Sequence, residues 1–274
     1  MKSWKKPGML AVAVLAAIMS LAGCRSAGTK QDTQQSSLPS QKKLVVLAAA
    51  SLTDAFNEIG RVFEQAHPGV TVKFNFGGSQ QLRTQIEQGI VADIFASADP
   101  KYMQELVDKG LVEQPRNFAA NSLTIIVPKN NPAGITSAAD LASKGKIALA
   151  APEVPIGNYS RQVLQKLAGL YGLDYPQKVE GRVVSQETTV RQVVAKVALG
   201  EADAGIVYIT DISSSYRDKL ATIPFPPEAN VRATYPIAVV KGTTQGGLAR
   251  ELVDYILSPE GQKILAKYGF LTAE

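Results

Sequence analysis

The chain has one cysteine, Cys24, and one histidine, His67, in 274 residues. A single thiol forms no disulfide and no multi-cysteine metal centre within one chain. A single imidazole leaves no two-histidine zinc site, and no serine–histidine pair unless that one ring lies beside the serine. His67 sits in AHPGV, where a helix gives way to a turn, and reads as a surface residue. Long runs of like charge are missing too. Charged residues make up 19% of the chain, and the net charge of +5 is weighted toward its beginning. Without Lys2, Lys5 and Lys6 the balance is 26 basic against 24 acidic residues, and Arg25, Lys30 and Lys42 also precede the main body. The folded part is therefore close to neutral, which argues against a nucleic-acid partner.

What is present begins with an address. MKSWKKPGMLAVAVLAAIMSLAGC places three lysines before an apolar stretch of about 14 residues, followed by Leu21-Ala22-Gly23-Cys24. That is the layout of a secretory signal, and the stretch is short for a membrane span of about 20 residues. The closing tetrapeptide resembles the bacterial lipobox, which implies cleavage after residue 23 and lipid on the Cys24 thiol. Residues 24–42 continue as a Ser/Gln/Thr-rich segment without an apolar period, expected to be a flexible tether. The remainder, with 45% of the whole chain hydrophobic, is long enough for two lobes with their own cores.

That remainder alternates short apolar runs with helical periods. LVVLAAA (44–50), VTVKFNF (70–76), ADIFASA (92–98), SLTIIVP (122–128), KIALAAP (146–152), GRVVS (181–185), AGIVY (204–208) and TYPIAVV (234–240) read as strands. Helices are expected after residue 51, over 79–89, 100–110 and 158–171, from Val190, around Leu248–Ile256 and over 260–268. Such alternation predicts an α/β fold with mostly parallel sheets, about four strands before residue 122 and about four between 122 and 210. Ligands of such sheets sit at the carboxyl ends of strands, near helix N-termini.

Three strand-to-helix junctions carry small or hydroxyl residues where a helix begins. Ser51 follows AAA, and Ser79 follows two glycines in FGGSQQL. APEVPIGNYS (151–160) brings Ile156 and Gly157 to a helix start fixed by two prolines. A fourth, QETTVRQVV, starts at Thr188 or Thr189, and Tyr208 ends the strand after it. Each serine is either a helix N-cap or, with free backbone N–H groups, part of an anion site. Tyr208 is either core or a hydroxyl turned into a cleft. The loops have no central Lys or Arg, Arg191 lying one residue inside its helix, and no evident inward carboxylate. A pocket of this kind offers only donors and suits a fully ionised oxyanion. A protonated phosphate would leave one hydrogen without an acceptor, at a cost of about 1–3 kcal/mol.

The segments AAASLTDAF, GGSQQLRTQIEQG, ADIFASAD, PEVPIGNYS, GIVY, YPIAVVKG and LSPEGQKILAKYGF, in this order, resemble the molybdate-binding proteins of bacterial ABC importers, over residues 44–270. The resemblance implies the type II periplasmic-binding-protein fold, with two lobes, each a mixed, mostly parallel sheet flanked by helices. It implies a signal over 1–23, one lobe from 43–121 with 232–274, and a second from 122–231. It implies a molybdate site of Ser51 and Ser79 hydroxyls, the Ile156 and Val190 amides and the Tyr208 hydroxyl, all partners of oxyanion oxygens rather than direct metal ligands. Tungstate would bind alike, and sulfate is the alternative anion. The partners implied are a membrane permease and, through the Cys24 lipid, the extracytoplasmic face of a membrane. No cofactor, catalysis or nucleic acid is expected, and a monomer is. A secreted serine hydrolase is disfavoured, because no Ser-x-x-Lys occurs at Ser51 or Ser79. A cytosolic regulator is disfavoured by the signal and tether.

Overall fold

The computed structural model describes residues 41–212 and 215–273. The signal-like segment, Cys24 and nearly all of the tether lie outside the described residues. The chain runs β1 (Lys42–Ala49), α1 (Thr53–Ala66), β2 (Val70–Gly77), α2 (Ser79–Glu87), β3 (Ile94–Ala96) and α3 (Pro100–Asp108) into a long strand, β4 (Arg116–Pro128). Then come β5 (Ile147–Ala150), α4 (Pro155–Tyr171), α5 (Tyr175–Glu180), β6 (Val183–Glu187), α6 (Val190–Ala198) and β7 (Ala204–Tyr208). β8 (Leu220–Pro224), β9 (Arg232–Val239), α7 (Gly246–Leu257) and α8 (Pro259–Lys267) complete it.

β1 is apolar on both faces because both are covered. Leu44, Val46 and Ala48 join the core beneath α1, with Phe56, Ile59 and Phe63 at helical spacing. Leu47 points the other way, into a second cluster with Leu82 and Ile86 of α2 and Met103 and Leu106 of α3. A sandwiched parallel strand reads as a continuous apolar run for this reason. Each large side chain so buried contributes about 1.5–3 kcal/mol.

The strands form one curled sheet in the order β2-β1-β3-β9-β4-β7-β5-β6, with β8 pairing β4 off that path. β1 runs parallel to β2 and β3, and β5 runs parallel to β6 and β7. The pairings made by β4 and β9 are antiparallel. The sheet is thus mixed, with the antiparallel strands at its centre, where strand–helix alternation gives no warning of them. β4 changes partners along its length. Arg116–Ser122 pair β9, and Leu123–Ile126 pair β7. At the change, Asn230 accepts from Leu123 N–H at 3.2 Å and donates to Leu123 C=O at 3.0 Å.

Four strands begin before residue 122, as expected, the fourth because β4 starts six residues before the apolar run at 122. Its first half, RNFAANS, hides its strand character behind Asn117, Asn121 and Ser122, which strand pairing accommodates. α5 and β8 have no counterpart among the expected elements. His67 is half-buried rather than on the open surface. Its ring stacks on Phe63 at 3.9 Å between centroids, with Nδ1 2.8 Å from the Phe63 carbonyl.

Candidate functional site

Five junctions meet at one small cavity of about 20 Å³, far below the size of a drug-sized pocket. Ser51, Ser79, Ile156, Val190 and Tyr208 all line it. The other lining residues are small or apolar apart from Thr189, and no charged side chain is among them. The alanines before Ser51 and the glycines before Ser79 bring backbone close to the space without filling it.

Ser51 lies inside a single 3-10 turn, Ala50–Leu52, that leads into α1. It caps neither helix. Its buried hydroxyl instead sits 3.0 Å from the Tyr235 hydroxyl of β9. Ser79 is the first residue of α2, with Gly78 in the cap position. Its Oγ accepts from Ala98 N–H at 3.0 Å. Both N-cap readings of the serines are therefore replaced by longer-range bonds that hold the hydroxyls at the cavity.

Across the cavity, Val154 caps α4 and Pro155 occupies its first turn, so Ile156 N–H has no acceptor within the helix. Gly157 must be glycine, since a Cβ there would lie 2.0 Å from Ala151 O and 2.6 Å from Ala150 O. This close approach seats the helix start on the end of β5. Thr189, not Thr188, caps α6, and a capping box with Gln192 closes the turn behind Val190. Val190, the first residue of the helix, lines the cavity, and its N–H has no acceptor within the helix. Both helices present the positive ends of their dipoles.

Tyr208 ends β7 and is almost completely buried. Its hydroxyl has no hydrogen-bond partner among the described residues, an uncommon condition for a buried polar atom. Burial pushes its pKa well above the ordinary value, so it remains a neutral donor. Behind it Asp211 is fully buried, accepts from Tyr208 N–H at 3.0 Å and has its pKa raised to about 7 by burial. Arg191 leaves the cavity, donating to Ala50 O at 3.3 Å and to Asp54 at 2.7 Å, with Nε 3.9 Å from Asp211.

Tyr235, Asn121, Asp211 and the Arg191 bridge were not singled out from the sequence. Their partners lie far along the chain, up to 184 residues away for Ser51 and Tyr235. The alternation in TYPIAVV marks Tyr235 only as an inward strand position. Among the described residues no group of three or more His, Cys, Asp or Glu is placed to hold a metal ion. No helix among them is long and apolar enough to cross a membrane.

A mixed α/β body with neutral hydroxyls and helix starts closing on a space for a small ion defines a solute-binding protein. The chain belongs to the bacterial extracellular solute-binding protein family, whose model matches residues 44–271. It is 38% identical over 260 residues to the molybdate-binding protein ModA of Mycobacterium tuberculosis, covering 93% of this chain and 95% of that one. It is 38% identical over 270 residues to YvgL of Bacillus subtilis, which carries the name of a putative ABC transporter substrate-binding lipoprotein, covering 96% and 97%. Its fold matches the periplasmic molybdate-binding protein of Azotobacter vinelandii at a TM-score of 0.72 and 22% identity, covering 84% of this chain and 100% of that one.

Proposed function

We propose that the chain binds molybdate in this cavity and hands it to the permease of an ABC importer. The observation that carries the reading is the donor set. Hydroxyls of Ser51, Ser79 and Tyr208 converge with the helix starts at Ile156 and Val190, and no charged side chain lines the space. An ion with four oxygens and no hydrogen needs donors alone. At about 1.5–3 kcal/mol for each hydrogen bond to a charged group, five or more offset much of the ion's dehydration. Tungstate has the same shape and charge and belongs to the same reading.

Two lobes, 43–121 with 232–274 and 122–231, would open and close about the crossings of β4 and β9. The change of partners along β4 near Ser122 supports that division. Ser51 and Ser79 belong to the first lobe, and Ile156, Val190 and Tyr208 to the second. Ligand then favours the closed arrangement by its differential affinity. The body would be tethered to the outer face of a membrane through Cys24, a reading supported by the lipoprotein name of the B. subtilis relative. It would act as a monomer without cofactor. Catalysis has no support in the cavity, where the serine oxygens meet Tyr235 and a backbone N–H rather than a base.

Calorimetric titration with molybdate, tungstate, sulfate and phosphate tests the reading. Tight binding of the first two, weak sulfate and no phosphate is expected. A folded protein giving no heat with any of them would end it. Sulfate bound as tightly as molybdate would widen it to a general oxyanion carrier.

A further inference from the structure

A hydroxyl donates one hydrogen bond and can accept others, so three hydroxyls do not by themselves make a donor-only cavity. Something behind each must fix its direction. For Ser79 the backbone does this, because Ala98 N–H can only donate and occupies Oγ. The Ser79 proton is left for the cavity. Ser51 has no such N–H, and its direction is set through side chains.

The chain of directions starts at Asn121, which is fully buried. Ser122 N–H donates to Asn121 Oδ1 at 3.0 Å, which fixes which end of the amide is which. Nδ2 then faces Thr210 Oγ1 at 2.8 Å and Tyr235 Oη at 3.4 Å, and toward both it can only donate. Tyr235 Oη accepts a hydrogen bond from Asn121 and keeps its own proton to donate. Ser51 Oγ lies 3.0 Å away to accept it. The Ser51 proton is then free to turn into the cavity. Burial raises the Tyr235 pKa far above its ordinary value, which keeps that hydroxyl protonated throughout.

We propose that Tyr235, oriented by Asn121, is a positioning residue that locks Ser51 as a hydrogen-bond donor and so sets the cavity's preference for oxyanions that carry no proton. The inference rests on the oxyanion reading of the cavity. Without Tyr235, Ser51 can rotate and accept, and the hydrogen of a protonated anion finds a partner.

The test is a double-mutant cycle on the full chain, titrated with molybdate. Tyr235→Phe keeps the ring that packs edge-on against Phe118 and Phe270 and removes only the hydroxyl. It is expected to weaken molybdate about tenfold in the parent and less than twofold in the Ser51→Ala background. Any stability cost common to both backgrounds cancels in the cycle. Phosphate competing against molybdate is expected to strengthen about tenfold relative to it in Tyr235→Phe. Equal losses in the two backgrounds would show that Tyr235 acts by packing and not through Ser51, and an unchanged phosphate ratio would overturn the selectivity role. If the parent binds molybdate and Ser51→Ala weakens it while Tyr235→Phe does not, the positioning role fails and the oxyanion reading survives. A folded parent that gives no heat with molybdate overturns both.

Discussion

Arg191 of α6 donates to Asp54 of α1 at 2.7 Å, joining residues 137 apart in sequence across the edge of the cavity. The same guanidinium reaches Ala50 O, one residue before Ser51. Other contacts cross beside it, including Gln80 Nε2 to Thr188 O at 3.1 Å and the Tyr102 hydroxyl to Glu153 O. Arg191 therefore neutralises no ligand. It bridges α6 and α1 at the cavity's edge.

Removing that tie should destabilise the closed arrangement more than the fold. The Arg191 and Asp54 side chains are 23% and 34% exposed, so the pair contributes on the order of 1 kcal/mol after screening. Arg191→Gln is expected to weaken molybdate about fivefold, through faster release with an association rate within about twofold of the parent. Stopped-flow kinetics would check it. A variant that releases molybdate no faster would rule out the bridge as a closing contact.

Asp211 predicts a pH dependence. Burial raises its pKa to about 7, against the pull of Arg191 and the Tyr208 N–H and with a smaller push from Asp54. In the unfolded chain an aspartate titrates near 3.9, so between about pH 4 and 7 the folded state holds the extra proton. Stability from this group is then greatest below pH 4 and falls as pH rises through 7. Asp211→Asn removes the loss. An amide facing Arg191 adds a fixed cost at every pH, so the slope is the diagnostic quantity. Urea unfolding from pH 4.5 to 8 should show the variant gaining on the parent by on the order of 3 kcal/mol up to pH 7 and levelling beyond. A difference that does not vary with pH would place the Asp211 proton elsewhere.

The site was legible in the sequence to the extent that it is built from local junctions. Small residue, serine and helix start are contiguous in AAAS and GGSQ, and the ends of β5 and β7 carry their own signatures. Periodicity located β1, β2, α2, α3, α6 and β7 to within a few residues, because each buries a face that its own pattern announces. The helix caps were less legible. Ser51 and Ser79 look like caps, yet their hydroxyls bond to Tyr235 and to Ala98 N–H, and these partners are set by tertiary packing. The first half of β4 was hidden for a related reason. Asn121 reads as a loop residue until Ser122, Thr210 and Tyr235 are known to surround its amide.

Two glycines separate folding from closing. At Gly157 an added Cβ meets backbone within its own half, Ala151 O at 2.0 Å and Ala150 O at 2.6 Å. Gly157→Ala must displace the start of α4, and is expected to lower the stability of the free protein by about 1–3 kcal/mol or more. At Gly78 the added Cβ meets the Gln80 side chain, which can move, and Thr188 O across the cavity at 2.7 Å. The backbone of Gly78 is extended, with φ −66° and ψ 135°, so alanine adds no strain there. Gly78→Ala should leave the free protein's melting temperature unchanged and weaken molybdate tenfold or more. Thermal melts with and without ligand separate the two cases. Equal destabilisation of both free variants would refute the separation.

Tyr208→Phe should separate binding from stability. The Tyr208 hydroxyl has no partner among the described residues, and the ring keeps its contacts with Tyr159 and Tyr235 without it. In the free protein the open cavity admits water to that hydroxyl, so the variant's unfolding stability should stay within about 0.5 kcal/mol of the parent's. The same deletion removes one donor from the anion, worth about 1.5–3 kcal/mol, so molybdate should bind roughly 10- to 150-fold more weakly. A core tyrosine with a protein partner would lose stability on deletion, and a hydroxyl idle in binding would leave affinity intact. A variant that melts lower and binds molybdate as tightly as the parent would remove Tyr208 from the site.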